Sequence, residues 1–193
     1  MPTNAGVPQR RMRADARRNY ERLLAEADVA FREHGTDASL EEIARRAGVA
    51  IGTLYAHFPT RQALLESLMR ERNDQVIGQG EELIKERPPG EALEAWARIS
   101  VAHTTAYRGL AASLISCFDD PTSPLYGACH AMTEMGERLV ERAREAGGIR
   151  PDASASDLFA LITAAAWVRE QVSEEQAERL LRIMIDGLRP QEG

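Results

Sequence analysis

Residues 41–60, EEIARRAGVAIGTLYAHFPT, have the pattern of two short helices joined by a tight turn. Ser39 and Glu42 form a capping-box pair that opens the first helix. Gly48 ends that helix, since glycine readily adopts the left-handed backbone that a sharp turn between helices requires. The pattern therefore predicts a helix-turn-helix, which places its second helix where a DNA major groove can receive it.

The second short helix has an apolar and a polar face. Leu54 and Phe58 lie four residues apart and face a small core shared with the preceding helix. Thr53, Tyr55 and His57 then point largely outward. A face without carboxylates that is flanked by basic side chains suits a groove lined by phosphates. The flanking side chains are those of Arg45, Arg46 and Arg61.

Charge is unevenly distributed along the chain. The 193 residues carry a net charge of −6, but residues 1–72 hold 12 Arg against 10 Asp and Glu, a balance of +2, and residues 73–193 carry −8. Five arginines in the first 18 residues face only Asp15, so this end attracts a polyanion. We expect a basic arm that contacts the minor groove or the DNA backbone; the alternative is a solvated, frayed terminus. The arm consists of Arg10, Arg11, Arg13, Arg17 and Arg18.

Composition excludes several classes of protein. With 44% apolar and 28% charged residues, the sequence is typical of a soluble globular protein with a sizeable core. No apolar run approaches the roughly 18 residues of a membrane span, and the basic N-terminus lacks the apolar segment of a secretion signal. We therefore expect a cytoplasmic protein without a membrane partner. Cys117 and Cys129 are too few for a disulfide framework and are interpreted as small apolar packing residues, with a redox role left open.

Helical periodicity continues along the whole chain, and no strand pattern competes with it. We predict an all-α protein of about nine helices, in which a three-helix DNA-binding domain is joined by a long fourth helix to a C-terminal helical bundle that dimerises. The expected divisions are 1–60 for the arm and helix-turn-helix domain, 61–87 for the connecting helix, and 88–193 for the ligand-binding and dimerisation domain. Later helices are predicted over roughly 91–106, 109–118, 125–146, 155–172 and 174–188, with boundaries uncertain by about 2 to 4 residues.

Residues 39–65, SLEEIARRAGVAIGTLYAHFPTRQALL, resemble the DNA-binding signature of the tetracycline-repressor (TetR) family in matching order. Residues 164–190, AAAWVREQVSEEQAERLLRIMIDGLRP, also resemble C-terminal domains of one branch of that family. The resemblance implies an all-helical homodimer whose third helix reads the major groove and whose C-terminal part binds a small effector that releases the operator. The implied function is that of a ligand-responsive repressor.

The resemblance also implies roles for individual residues. Tyr55 and His57 match positions that usually contact phosphates in the family, and Thr53 matches one that contacts a base or the backbone. Gly52 matches a small residue that allows close approach to DNA. Arg45 flanks this set as a further candidate for DNA contact.

Three positions depart from the family pattern. Ala50 stands where a serine cap is common. Ile51 stands where a polar or basic residue is common. In our interpretation, Ile51 contacts a thymine methyl instead of forming a hydrogen bond with a base edge. Arg61 replaces a frequent lysine, and its place near a helix N-terminus suits a phosphate contact.

The C-terminal helices carry apolar stripes that are too broad for one packing partner. A single helix-turn-helix has a small footprint, so specific binding needs two copies about 34 Å apart on a pseudo-palindrome, which predicts a homodimer. Two helices from each subunit would form a four-helix bundle; the alternative is that both helices are buried within one protomer. The predicted interface residues are Leu158, Ile162, Ala165, Leu181, Met184, Ile185 and Leu188.

Aromatic and methionine residues in the centre of the chain indicate a cavity for a small, largely apolar effector. Three of them recur at i, i+7 and i+11 on one predicted helix, and residues of later helices are candidates to converge on them. Such walls with few polar groups are typical of ligand pockets, although the same stripe also fits an ordinary core. The candidate pocket residues are Trp96, His103, Tyr107, Phe118, Tyr126, Met132 and Trp167.

Signatures of enzymes are missing from the sequence. It contains no glycine-rich phosphate loop, no GxSxG or HExxH motif and no recognisable metal-ligand spacing. We therefore expect no catalytic residue, no cofactor and no metal site. The alternative to a DNA-binding regulator is a helical dimer that serves only as an interaction scaffold.

Overall fold

The computed structural model describes residues 7–115, 122–123 and 125–190. These residues form nine α-helices and no strand, which confirms the all-α prediction and the expected number of helices. In the same ranges, no helix is both long enough and apolar enough to span a membrane. The helices are α1 (Val7–His34), α2 (Leu40–Arg46), α3 (Ile51–His57), α4 (Arg61–Glu86), α5 (Pro89–Thr104), α6 (Leu110–Ile115), α7 (Tyr126–Glu145), α8 (Ala155–Gln171) and α9 (Glu174–Gly187).

The first helix begins earlier than its apolar pattern. Tyr20 is the first residue of the apolar stripe, yet α1 starts at Val7 and includes the basic segment. Arginine, alanine and methionine are good helix formers, so this segment is helical without an apolar face of its own. Exposed pairs between successive turns, such as Arg17 Nε to Glu21 Oε1 at 2.9 Å, add a small stabilisation.

Helices α1 to α4 enclose the first of two apolar clusters. Phe31 of α1, Ile43 of α2, Leu54 of α3 and Leu64 of α4 are completely buried in it. Burial of a side chain of this size contributes about 1.5–3 kcal/mol. This cluster fixes the position of α3 relative to the rest of the N-terminal part.

A second apolar cluster lies among α4, α5, α7, α8 and α9. Trp96 of α5 is fully buried there, and its ring meets that of Phe159 on α8 edge-on, with 6.0 Å between the centroids. Two glycines allow this close packing. A Cβ atom at Gly80 of α4 would lie 3.0 Å from Trp96 Cδ1, and one at Gly136 of α7 would lie 2.8 Å from the Phe159 ring. Because α4 contributes to both clusters, it belongs to both parts of the molecule.

Packing crosses the predicted division between residues 87 and 88. Tyr107, in the connection between α5 and α6, is fully buried in the first cluster. In the same connection, Arg108 O accepts a hydrogen bond from Thr36 N at 2.9 Å. Gly35 has a φ of +79°, and a Cβ atom there would lie 2.7 Å from Arg108 O, so only glycine fits easily. The domain division stays a prediction, and main-chain contacts join its two sides.

Candidate nucleic-acid interface and effector cavity

The turn between α2 and α3 is closed by main-chain hydrogen bonds. Gly48, with a φ of +64°, donates from its N–H to Arg45 O at 3.1 Å, and Val49 N donates to Ala44 O at 3.0 Å. This pair of bonds is a Schellman motif, which satisfies carbonyls at the end of α2 and turns the chain sharply. The glycine at residue 48 therefore sets the angle at which α3 leaves α2, as the sequence predicts.

Helix α3 is anchored by one face and presents the other. Leu54 is fully buried, whereas Tyr55 is 45% exposed and Ile51 is 36% exposed. Thr53 is half-buried and flanks this surface. The outer face thus holds a hydroxyl, a phenol and an aliphatic side chain at neighbouring positions, the groups that the sequence predicts for contact with DNA. Ala50 and Gly52 are exposed at the N-terminal end of the same face.

The C-terminal end of α3 rests against α1. The Tyr20 ring lies 5.1 Å from the Phe58 ring, centroid to centroid, and meets the His57 ring edge-on at 5.9 Å. His57 is consequently half-buried rather than fully outward, with one side of its ring covered by α1. Aromatic contacts of this geometry stabilise a fixed orientation of both rings.

Helix α3 is uncharged, and the arginines of the neighbouring helix α2 are paired with carboxylates. Helix α3 itself has no Asp, Glu, Lys or Arg. On α2, Arg45 pairs with Glu42 through Nε at 2.8 Å and Nη2 at 2.5 Å, which raises the pKa of Arg45 and lowers that of Glu42. Both side chains are well exposed, so the pair contributes little and is easily exchanged for a phosphate. Arg46 instead pairs with Glu26 and Glu33 of α1 and holds α2 on that helix.

Arg61 lies against the loop between α1 and α2. Its Nη1 donates to Thr36 O at 2.8 Å and to Ala38 O at 2.5 Å. One nitrogen of the guanidinium therefore holds the loop between α1 and α2, and the side chain is half-buried. These bonds give Arg61 a positioning role for the loop, and its contact with a phosphate stays a prediction.

The predicted basic arm is the first part of α1. Arg13, Arg17 and Arg18 are exposed on it, and Arg18 pairs with Asp15. Arg10 and Arg11 belong to the same helix, but their side chains lie outside the described part of the structure. Contact with DNA by this segment stays a prediction.

The structure corrects the predicted subunit interface. Six of its seven residues are at most 9% exposed and lie in the second apolar cluster of their own protomer, and only Met184 is partly exposed. The stripes are broad because α8 and α9 pack against each other and α8 also packs against α5, α6 and α7. The buried residues are Leu158, Ile162, Ala165, Leu181, Ile185 and Leu188.

A cavity of about 40 Å³ lies where α4, α5, α7 and α8 meet. Of the predicted pocket residues, His103 and Met132 line it. Sequence reasoning missed its other polar residues, since a single Asn, Ser or Thr on an apolar helix carries no recognisable signal. The described lining consists of Met69, Asn73, Ser100, His103, Thr104, Leu114, Leu125, Cys129, Met132, Phe159, Ile162 and Thr163.

The other predicted pocket residues lie elsewhere. Trp167 is 49% exposed on the outer side of α8, and Tyr107 is buried in the first cluster. Trp96 belongs to the second cluster, where it packs beneath the cavity-lining Phe159. Tyr126, at the start of α7, stacks on His130. Phe118, like Cys117, lies outside the described residues.

His103 is the central polar group of the cavity. Its Nε2 lies 2.7 Å from Asn73 Oδ1, and both side chains are buried. Burial, with a smaller effect of the Arg72 charge, lowers the pKa of His103 to about 4. The imidazole is therefore neutral at neutral pH, and the described lining of the cavity carries no charge.

One turn beyond His103, the chain is tied to the N-terminal part. Tyr107 Oη donates to Asp28 Oδ1 at 2.5 Å, and Asp28 also pairs with Arg32 at 2.8 Å. Burial raises the pKa of Asp28, but the hydrogen bonds from Arg32 and Tyr107 outweigh it and hold that pKa below its usual value. The Arg72 guanidinium lies 5.6 Å from the Tyr107 ring centroid. We call Asp28, Arg32, Arg72 and Tyr107 the α1–α5 junction.

An exposed uncharged α3 on a helix-turn-helix, joined to a helical body with an internal cavity, defines a DNA-binding regulator. Residues 23–68 match the model of the bacterial regulatory proteins of the tetR family, and residues 88–190 match the SbtR-like C-terminal domain of transcriptional regulators. The chain belongs to the TetR family of bacterial transcriptional regulators. Membership confirms the resemblance read from residues 39–65 and the expectation that the protein is not an enzyme.

Relatives support this assignment over most of the chain. The crystal structure of the TetR transcriptional regulator SCO0520 from Streptomyces coelicolor is 38% identical, with 90% of this chain and 99% of that chain covered and a TM-score of 0.62. The HTH-type transcriptional repressor KstR2 from Rhodococcus jostii is 25% identical in an alignment of 186 positions that covers 86% of this chain and 89% of the relative. FadR from Bacillus subtilis shares the fold at 21% identity, with 87% and 98% covered and a TM-score of 0.64.

Proposed function

We propose that this protein is a repressor that binds a pseudo-palindromic operator as a homodimer and is released by a small, largely apolar effector. The observation that carries the proposal is the outer face of α3, on which Tyr55 and Ile51 are exposed and no carboxylate is present. A helix of this kind can enter the major groove of a duplex whose phosphates repel acidic surfaces. KstR2, named a repressor, supports the sign of regulation.

Within this proposal, the side chains on α3 have different roles in binding DNA. Tyr55 and His57 contact phosphates and set the position of the helix, while Thr53 and Ile51 meet base edges. Gly52 allows close approach, and Arg45 exchanges its exposed pair with Glu42 for a phosphate. The exposed arginines at the start of α1 attract DNA towards this end of an otherwise acidic protein.

The homodimer is proposed to form through the outer faces of α8 and α9, in place of the buried residues predicted from the sequence. On α8, Ala160, Ala164 and Trp167 are exposed and share one side of the helix, with small residues that allow another helix to approach. On α9, Ile183 is 64% exposed and Leu180 is half-buried three residues before it. Exposed apolar groups on two adjacent helices fit a four-helix contact between two copies.

Effector binding is proposed to act through α4 and α5, since the cavity is lined by both helices. The His103–Asn73 contact joins them at the cavity, and Tyr107 joins the end of α5 to α1 four residues later. A ligand that binds one arrangement of these helices better than the other shifts the spacing of the two recognition helices in the dimer. The FadR structure from Bacillus subtilis is a complex with stearoyl-CoA, which supports the proposal that a protein of this fold responds to a ligand.

DNA binding is tested by titrating the protein with its own upstream intergenic DNA and with a scrambled duplex, followed by fluorescence anisotropy. We expect tight binding to the natural sequence that weakens by about 10³-fold or more between 50 and 200 mM salt, as neutralisation of several phosphates requires. An interaction scaffold would show no difference between the two duplexes at any salt concentration, and that result would refute the proposal.

A further inference from the structure

Among the described residues, the polar groups that line the cavity between α4, α5, α7 and α8 are uncharged at neutral pH. Asn73 comes from α4, Ser100, His103 and Thr104 from α5, and Thr163 from α8. Each is at most 7% exposed. Apolar side chains, among them Met69 and Met132, complete the described walls. The cavity is therefore an apolar site with one patch of neutral hydrogen-bonding groups.

The hydroxyl of Ser100 is the group in this patch whose hydrogen bonding is unsatisfied. Its side chain is 1% exposed, and Ser100 Oγ has no hydrogen-bond partner among the described residues. A buried hydroxyl without a partner costs free energy, which a ligand recovers by supplying a donor or an acceptor. Because a hydroxyl both donates and accepts, Ser100 suits a ligand alcohol or carbonyl equally well.

Among the described residues, the charged side chains close to the cavity are not part of its lining. Arg72 of α4 lies against the Tyr107 ring, and Glu170 Oε2 of α8 accepts a hydrogen bond from Gly109 N at 3.0 Å. His103 supplies no charge at neutral pH, because burial lowers its pKa to about 4. An ionised ligand group would lose its water and find no opposite charge in the lining, which is strongly unfavourable.

Flexible side chains allow this small cavity to bind a ligand that is larger than its present volume. A volume of about 40 Å³ holds a few atoms. Met69 and Met132 are unbranched and adapt readily to new neighbours, so a thin, flexible molecule can enlarge the space between them. A linear aliphatic body fits this requirement better than a rigid, bulky one.

We infer that the effector presents an uncharged hydroxyl or carbonyl to Ser100 and its polar neighbours, with a flexible apolar body lying among the methionines. This inference rests on the proposed ligand-responsive function. It specifies the chemistry of the ligand at that site: neutral at its buried polar end, neither a carboxylate nor an amine.

The test uses three probes of equal chain length, 1-octanol, sodium octanoate and n-octylamine, with the full-length protein at pH 7.5. Binding is measured by calorimetry and by the shift in melting temperature. Ser100→Ala removes the unpartnered hydroxyl. Ser67→Ala is the matched control, since Ser67 Oγ donates to Ala63 O on α4 and does not line the cavity.

We expect 1-octanol to bind at least about tenfold more tightly than either charged probe. Ser100→Ala should weaken 1-octanol binding about three- to tenfold, the loss of one neutral hydrogen bond, without lowering the melting temperature of the unliganded protein. Ser67→Ala should leave the affinity unchanged. Equal or tighter binding of octanoate, no binding of any probe, or an unaltered affinity in Ser100→Ala would each overturn the inference.

Operator binding, followed by anisotropy in the same samples, separates this inference from the proposed function. Release of DNA by octanoate but not by 1-octanol would overturn the neutral-ligand inference and leave ligand-responsive regulation standing. Binding of 1-octanol that depends on Ser100 and has no effect on DNA would support the inference and count against the proposed mechanism of release.

Discussion

Tyr107 and Asp28 lie 79 residues apart in the chain, and the phenol of the former donates a 2.5 Å hydrogen bond to the carboxylate of the latter. Tyr107 follows the helix that carries His103, and Asp28 lies on the helix that supports α3 through Tyr20. The bond therefore connects the wall of the cavity with the support of the proposed DNA-reading helix. Its strength should influence both stability and the response to an effector.

Tyr107→Phe should lower the free energy of unfolding by about 1.5–3 kcal/mol, the range for a hydrogen bond to a charged group. The Asp28 carboxylate loses one of the donors that hold down its pKa, so that pKa should rise towards its usual value. Urea denaturation at pH 7 measures the first effect. Tyr126→Phe is the control, because Tyr126 is half-exposed and stacks on His130 outside the α1–α5 junction; an equal loss in both variants would contradict the role of the bond.

Two glycines of α4 should respond oppositely to alanine. Nothing lies within 4 Å of a Cβ atom at Gly78, so Gly78→Ala should stabilise the protein by about 0.5–1 kcal/mol through its effect on helix propensity. A Cβ at Gly80 would meet Met135 Sδ at 2.9 Å and Trp96 Cδ1 at 3.0 Å, and Gly80→Ala should destabilise by about 1–3 kcal/mol. Thermal unfolding of both variants checks the sign; a gain at both positions would contradict the close packing of α4 on α5.

Stability should fall with pH below the ordinary pKa of histidine, 6.5, because of His103. Between pH 6.5 and pH 4 the unfolded chain binds a proton that the buried, neutral His103 does not, so the free energy of unfolding decreases as the pH falls. The contribution reaches about 3 kcal/mol near pH 4. Urea denaturation of the wild type and of His103→Gln across this range isolates it as the difference between two profiles. Parallel profiles would show that His103 does not titrate as described.

Substitutions on α3 should separate positioning from base reading. Tyr55→Phe should weaken binding about three- to tenfold on every duplex, since only a phosphate contact is lost. Thr53→Val should instead change the ranking of operator variants, because its side chain meets base edges in the proposal. Binding selection from a random DNA pool with each variant measures both effects. An equal loss on all sequences for Thr53→Val would remove its base-reading role.

A charge on the outer face of α9 should separate the subunits. Ile183→Glu places a carboxylate where 64% of an isoleucine is exposed in the protomer, and we expect it to shift the dimer to monomer by analytical ultracentrifugation at micromolar concentration. Val29→Glu is the control, since Val29 is a similarly aliphatic side chain, 37% exposed on α1. Dimers that survive Ile183→Glu would place the interface elsewhere.

The features of the fold that depend on residues close together in the sequence were predictable from it. Ser39 caps α2 and Thr60 caps α4 through side-chain hydrogen bonds, and Gly48 has the left-handed backbone expected of it. These features follow from residue type and local spacing, so the existence of the helix-turn-helix and the exposure of Tyr55 were accessible without coordinates.

Features that depend on contacts between residues far apart in the sequence were not predictable. Helix α8 is apolar on two sides, with Ile162 inward and Trp167 outward, and periodicity alone does not tell which side meets the core. The hydrogen bonds from Arg61 to the α1–α2 loop were not predicted, because that loop lies more than 20 residues away in the chain. Asn73 was missed for the same reason, since its contact with His103 exists only when α4 and α5 are packed.

The connection between α5 and α6 is held from two directions by atoms of the main chain. Arg108 O accepts from the α1–α2 turn, and Gly109 N donates to Glu170 of α8. Replacement of the Arg108 side chain leaves both of those peptide groups in place, whereas Gly35 and Gly109 owe their positions to backbone conformations that other residues rarely adopt. In a random mutagenesis screen for proteins that fold and bind DNA but no longer respond to inducer, hits in this connection and at the residues that hold it should therefore concentrate at Gly35, Gly109 and Glu170.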